Sequence, residues 1–342
     1  MKRKTLIVCA ALAMGPMGSF ASTWEEPIKV DTDHQVDAVM DQIEPANARH
    51  PVNVMADRVT EITFERAASL PKAHAGAKMM EKSIIEQEPV NEGFQNPWIG
   101  VDYGFSYSED QRELGYTSYL HMATLSGGFT TYFNIDVGAM FMYTATDGRD
   151  IGGDAFSGSI WASRPIFDWL YFGVSGSYTS GDQDTFQRNV WTATDSDTWA
   201  VSPFLMFIYQ TGPWTLSCSP TYVASFQDTD LHQDFASDSF DQFGVSFEPD
   251  SAPGQDSTTH KLVVANRIGY KFSDAFSATV NISPNIVLGY EGPDQEDFWV
   301  NTGLKLKYNV SEALDIYGKY SYDLFHSDYE NHNVNVGLDY NF

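Results

Sequence analysis

The segment Phe276-Ser277-Ala278-Thr279-Val280-Asn281-Ile282-Ser283-Pro284-Asn285-Ile286-Val287-Leu288 decides the fold. Apolar residues hold the even positions, and Ser, Thr and Asn hold the odd ones as far as Asn285. A period of two marks a strand, because successive side chains point to opposite faces. The same alternation sets Ile99, Val101, Tyr103, Phe105 and Tyr107 against Gly100, Asp102, Gly104 and Ser106. At the C-terminus, Val334, Val336, Leu338, Tyr340 and Phe342 alternate with Asn333, Asn335, Gly337, Asp339 and Asn341. A soluble β-sandwich would pair a bulky apolar interior with charged outer positions. Here the polar positions are mostly Gly, Ser, Thr and Asn, which suit a hydrated lumen, and the apolar face suits lipid. The expectation is an all-β chain folded as an antiparallel transmembrane β-barrel.

Short turns recur between alternating runs, at Phe133–Asp136, Pro165–Asp168, Gln210–Pro213, Lys271–Asp274 and Asn309–Glu312. The opposite strand ends carry longer polar loops, the largest read as Gln227 to Thr259. Short turns on one side and long loops on the other are the asymmetry of outer-membrane barrels. Five turns join ten strands, and an opening and a closing strand make a 12-stranded barrel. Strands ~4.8 Å apart and tilted ~40° give a backbone diameter of about 24 Å. Inward side chains leave a bore near ~10 Å, about the width of one α-helix.

The 342 residues carry 46 Asp+Glu against 20 Lys+Arg, a net charge of −26, and no basic patch of the kind nucleic acid requires. Aromatic residues make up 14%, and no run approaches the ~20 apolar residues of a membrane-spanning helix. The longest strong apolar run beyond the N-terminus is Phe204 to Tyr209. Lys2, Arg3 and Lys4, the apolar stretch Thr5 to Met17, and Ser19-Phe20-Ala21 together read as a signal peptide, residues 1–21, cleaved after Ala21. The exported chain then keeps Cys218 as its cysteine, which excludes a cysteine-based metal site. Residues 22–95 form an acidic, partly helical extension interrupted by Pro45, Pro51, Pro71 and Pro89. Within it, Val54 to Leu70 places Met55, Val59, Ile62 and Ala67 at helical spacing, with Asp57, Arg58, Glu61, Glu65 and Arg66 between them. Ala75 to Gln87 is a second candidate helix. The barrel is assigned to residues 96–342.

Phe342 closes the chain after a tyrosine-containing alternating strand, and this resembles the C-terminal signal that the outer-membrane assembly machinery reads. The stretch Phe167-Asp168-Trp169-Leu170-Tyr171-Phe172-Gly173-Val174-Ser175-Gly176-Ser177-Tyr178 resembles the middle of an autotransporter translocator barrel. So do Ala313–Tyr322 and Asn331–Leu338. The likeness spans roughly Asn96 to Phe342. It implies a translocator-like or plugged pore in the outer membrane of a Gram-negative cell, in contact with lipid and lipopolysaccharide. In place of a large repetitive passenger, this chain has only the short extension. A passive porin-like channel for small solutes and an outer-membrane hydrolase are the alternatives.

By parity the lumen side carries Asp102, Arg267, Lys305, Asp315, Lys319, Asp323 and Asp339. Opposed charges lining a pore focus ions or orient a plug helix. They also suffice simply to keep a lumen hydrated. The Gln227–Thr259 stretch holds Asp228, Asp230, Asp234, Asp238, Asp241, Glu248, Asp250 and Asp256, yet no calcium-loop pattern. It reads as a solvated outer loop. His326, Asp328 and His332 sit near one another in the last outer loop, where a metal site is the minor alternative to solvated polar side chains. No compact catalytic motif, cofactor fingerprint or metal motif emerges, so the reading is a pore and not an enzyme. Parity turns His121 outward.

Overall fold

The computed structural model describes residues 51–69, 95–110, 117–148, 151–187, 190–235, 251–252, 256–291, 298–325 and 329–342. The leader, the candidate helix at Ala75–Gln87, His326, Asp328, and Asp238, Asp241, Glu248 and Asp250 of the acidic loop lie outside them.

One helix, α1 (Pro51–Ser69), precedes a single antiparallel sheet. Its strands are β1 (Gln95–Asp110), β2 (Thr117–Thr130), β3 (Asp136–Gly148), β4 (Ile151–Phe167), β5 (Leu170–Gln187), β6 (Val190–Thr211) and β7 (Trp214–Phe235). There follow a two-residue strand β8 (Ser251–Ala252), then β9 (Ser257–Lys271), β10 (Phe276–Glu291), β11 (Phe298–Asn309), β12 (Leu314–Leu324) and β13 (Tyr329–Asn341). Twelve long strands pair in chain order, β8 merely extends β7 at Leu231↔Ala252, and β1 pairs with β13 to close the ring. The closing register runs from Trp98↔Asn341 to Asp110↔Tyr329. The fold is therefore a closed 12-stranded antiparallel barrel with one helix, and a closed sheet has no exposed edge.

The alternation behaves as the sequence suggests on the outer face. Ile99, Val101 and Tyr103 on β1, Phe156 and Ile160 on β4, and Val334, Val336 and Leu338 on β13 are all exposed. At the short-turn end Tyr132, Phe133, Phe167, Trp169, Trp214 and Phe272 form an aromatic girdle. The turns themselves are tight. Asn134 and Gly212 take positive φ at 57° and 55°, the left-handed conformation that Asn and Gly tolerate best. Beyond the girdle, Phe342 donates its backbone N–H to Pro97 O at 3.0 Å, which pins the chain end to the start of β1.

Two features differ from the sequence reading. β6 and β7 are 22 residues each, about twice what a bilayer crossing needs. They run out past the apolar band, so Asp228 and Asp230 stand on β7 and not in a loop. Alternation persists there, but the outward positions are Asp, not apolar, and the lipid pattern gives no sign of it. The inward face also differs: it is not uniformly small and polar. Trp98, Met122, Met140, Met142, Trp161, Phe204, Met206 and Ile208 are buried inside the barrel. On the inner wall the indole of Trp161 sits against Gly138 and the phenol end of Tyr317 against Gly337, where an added Cβ would collide with them.

Candidate functional site

The lumen holds α1. Its residues reach strands on every side: Met55, Val59 and Ile62 pack against Met122, Met140, Met142, Trp161 and Phe204. Phe64 and Ala67 pack with Tyr171, Met206 and Ile208, and Ala56 packs with Ala200 and Val223. Turned the other way, Asp57, Arg58, Glu61 and Glu65 meet side chains of β9, β11, β12 and β1. A helix with 3.6 residues per turn separates these two faces because its apolar residues fall at i, i+4 and i+7. Met55, Val59 and Ile62 keep that spacing, and Asp57, Arg58, Glu61 and Glu65 fill the opposite arc.

Glu61 is the hub of the charged side. Its carboxylate accepts from Lys305 Nζ at 2.9 Å, Lys319 Nζ at 2.8 Å and Arg58 Nη1 at 3.2 Å. Lys305 also donates to Glu65 and lies 3.9 Å from the centre of the Tyr317 ring. Arg58 in turn donates to Tyr317 Oη at 2.5 Å and to Asp102 Oδ2 at 3.4 Å. Arg267, with a side chain only 2% exposed, donates to Asp57 Oδ1 and to Thr60 Oγ1, each at 2.8 Å. Lys307 pairs with Asp315 at 2.8 Å and reaches Glu65 at 3.8 Å. Buried charges require partners of opposite sign, and here wall and helix supply them reciprocally.

Arg66 fixes the polarity of the helix. It donates to Thr130 Oγ1 at 2.9 Å and to Asp136 Oδ1 at 3.2 Å, both beside the β2–β3 turn. Gln210, beside the β6–β7 turn, donates to Ala68 O at 3.3 Å. The C-terminal end of α1 therefore sits at the short-turn mouth, and its N-terminal end points up the lumen toward the long-loop end.

Of the seven charges named from sequence parity, Asp102, Arg267, Lys305 and Lys319 touch α1 directly. Asp315 is one step removed, through Lys307. Asp323 accepts from Asn301 at 2.7 Å and Asn331 at 3.1 Å, within the wall. Asp339 stands opposite Asp315 on β13. Sequence reasoning missed Lys307, Tyr317, Asp57 as the partner of Arg267, and the whole apolar wall. Lys307 was visible in principle, since it shares parity with Lys305. His121 faces outward and its Nδ1 lies 2.6 Å from Tyr103 Oη. Among the described residues no group of three or more His, Cys, Asp or Glu is arranged to hold a metal ion.

No protein-family model matches the chain, and no curated protein sequence matches it. Solved structures do. The translocator domain of the autotransporter NalP from Neisseria meningitidis superimposes with a TM-score of 0.55 at 14% identity, covering 74% of this chain and 91% of that one. The β-domain of the Bordetella autotransporter BrkA gives 0.54 at 12% identity, covering 72% of this chain and all of that one. At these identities the likeness concerns architecture: this chain has the fold of the autotransporter translocator domains, a closed 12-stranded barrel.

Proposed function

We propose that the chain is an outer-membrane pore of the translocator type, from a Gram-negative cell, whose short N-terminal extension is retained in the lumen as a plug. The supporting observation is the seat of α1, with Glu61 clasped between Lys305 and Lys319 while Val59 is buried against the opposite wall. The helix polarity fits a segment whose N-terminal end leads toward the cell exterior. The wall's outer face meets lipid and lipopolysaccharide, and the assembly machinery recognises the strand ending in Phe342. Removing that residue is expected to lower the amount of heat-modifiable barrel in the outer membrane, and normal levels would count against the recognition.

Planar-bilayer recording tests the plug. Deletion of residues 22–94 is expected to raise single-channel conductance severalfold over the full chain. Equal conductance in the two proteins would overturn the plug and favour a passive small-solute channel. Protease added to intact cells tests the direction: cleavage upstream of Pro51 is expected, and full protection would reverse the assignment of the leading end.

A further inference from the structure

At the long-loop end of the barrel the outer face carries three pairs of one construction. Tyr103 Oη lies 2.6 Å from His121 Nδ1, Tyr222 Oη 2.7 Å from His260 Nδ1, and Tyr320 Oη 2.8 Å from His332 Nδ1. In each, the two residues are diagonal neighbours across an antiparallel pair: Ala123 stands opposite Tyr103, Ala224 opposite His260, and Val334 opposite Tyr320. The histidines are the fifth residue of β2 and the fourth of β9 and of β13, strands that all begin at the long-loop end. That is the level of the outer aromatic belt, where amphipathic rings meet lipid headgroups.

The tyrosine takes up Nδ1 and leaves Nε2 for another partner. With the phenol O–H donating to Nδ1, the neutral ring carries its proton on Nε2. With the ring charged, Nδ1–H donates to the phenol oxygen and Nε2 again carries a proton. Both arrangements present an N–H donor at headgroup level. Ring contacts steady the imidazoles: His121 meets Phe105 edge-on at 5.3 Å, His260 stacks on Tyr222 at 5.9 Å, and His332 lies 4.7 Å from Tyr322, centre to centre. Among the described residues no Lys or Arg faces outward at this end. Lys261, Arg267, Lys305, Lys307 and Lys319 turn into the lumen, and Arg164 and Lys271 lie near short turns.

We propose that His121, His260 and His332 bind the phosphate groups of lipopolysaccharide through Nε2, each ring positioned by its tyrosine. The proposal rests on the outer-membrane reading above and names the side chains that grip that lipid. Charge favours this part of the wall, because the outer ends of β5, β6 and β7 expose Asp182, Asp195, Asp228 and Asp230, which repel phosphate. Charge also ranks the three pairs. His332 Nε2 lies 4.0 Å from Glu330 Oε2, and Glu330 stands opposite Glu109 across the closing joint, so phosphate competes there with carboxylate. His121 and His260 have no carboxylate within ion-pair distance among the described residues, and they carry more of the binding.

The test is native mass spectrometry of the full-length barrel in a neutral detergent, titrated with lipopolysaccharide and separately with the same lipopolysaccharide stripped of its phosphates. The wild type is expected to hold the phosphorylated form about tenfold more tightly, because hydrogen bonds to a charged acceptor are the strong ones. Replacing all three histidines by Phe keeps the rings and is expected to abolish that preference. Alone, His121→Phe and His260→Phe are expected to reduce it about threefold each, and His332→Phe less. His121→Arg with His260→Arg is expected to preserve it. Fast migration of unheated samples on gels verifies that each variant is a folded barrel. Should the triple variant fail that check, Tyr103→Phe with Tyr222→Phe reads the same site through ring position, with an expected loss of about twofold. Equal binding of the two lipopolysaccharides by the folded wild type would overturn the proposal and leave the outer-membrane reading standing. So would an undiminished preference in the triple variant, or in the tyrosine variant where that is the one that folds. A wild-type chain that forms no heat-modifiable barrel in lipid would remove the outer-membrane reading and this proposal with it.

Discussion

The lumen has two unlike walls. From β1 to β6 it is lined by Met122, Met140, Met142, Trp161, Phe204, Met206 and Ile208; from β9 to β13 it is lined by Arg267, Lys305, Lys307 and Lys319. Both hold the same helix. The apolar wall offers adhesion without direction, since methionine side chains adapt to many shapes and burial energy depends only on area. The cationic wall offers direction. Glu61 fits between Lys305 and Lys319, which are directly opposite on β11 and β12, only at one depth and one rotation of α1. Burial retains the helix, and the ion pairs set its register.

The strongest challenge to this division is charge reversal. Lys305→Glu with Lys319→Glu sets two carboxylates against Glu61 and Glu65 and leaves the apolar wall intact. If burial retains the helix and the ion pairs set its register, α1 stays inside but loses its depth and rotation, and conductance rises above wild type while falling short of the barrel lacking residues 22–94. A conductance equal to wild type would assign the seat to the apolar wall alone. Glu61→Gln is the milder version. It leaves Lys305, Lys319 and Arg58 without their shared carboxylate, at an expected cost of about 3 kcal/mol. Spin-label distances from α1 to the wall would broaden, while the helix stays inside.

On the other wall, Val59→Ala removes packing at a residue with no exposure, for an expected loss of about 2 kcal/mol. It is expected to lower the temperature at which α1 is released without broadening the distances. The smallest effect separates the walls by salt. Raising ionic strength from 0.1 to 1 M shortens the screening length from about 10 to 3 Å. It is expected to weaken α1 retention by at most about 1 kcal/mol in the wild type, and not at all in Glu61→Gln. Equal salt sensitivity in both proteins would place the screened charges elsewhere.

The same two walls explain what the sequence disclosed. The outer face was legible because lipid imposes one requirement on every strand, and Val334, Val336 and Leu338 meet it against Asn333, Asn335 and Gly337. The charged wall was partly legible for a related reason: Lys305 and Lys319 are conspicuous at lumen parity. The apolar wall was hidden. In Ala139-Met140-Phe141-Met142-Tyr143 both faces are apolar, and a continuous apolar run has no phase to read. Met140 and Met142 turn inward because α1 covers them, and that partner lies some 80 residues earlier in the chain. The run Phe204–Tyr209 conceals Phe204, Met206 and Ile208 in the same way. The helix itself was visible, since Met55, Val59 and Ile62 recur at its period. No local pattern states that its solvent is the inside of a barrel.

Arg58 bears on how the ring comes to close. It holds Asp102 on β1, 44 residues away, and Tyr317 on β12, 259 residues away, and β13 lies between those two strands. The β1–β13 joint is the most distant pairing in the chain, so its loop-closure entropy is the largest of any neighbouring pair. If α1 folds before the last strand zips, Arg58 and Glu61 give β1, β11 and β12 one common partner, and part of that search becomes local. In that order of events the helix is a mandrel as well as an occupant. A chain deprived of it is expected to reach the same barrel more slowly, with the delay falling on the final joint.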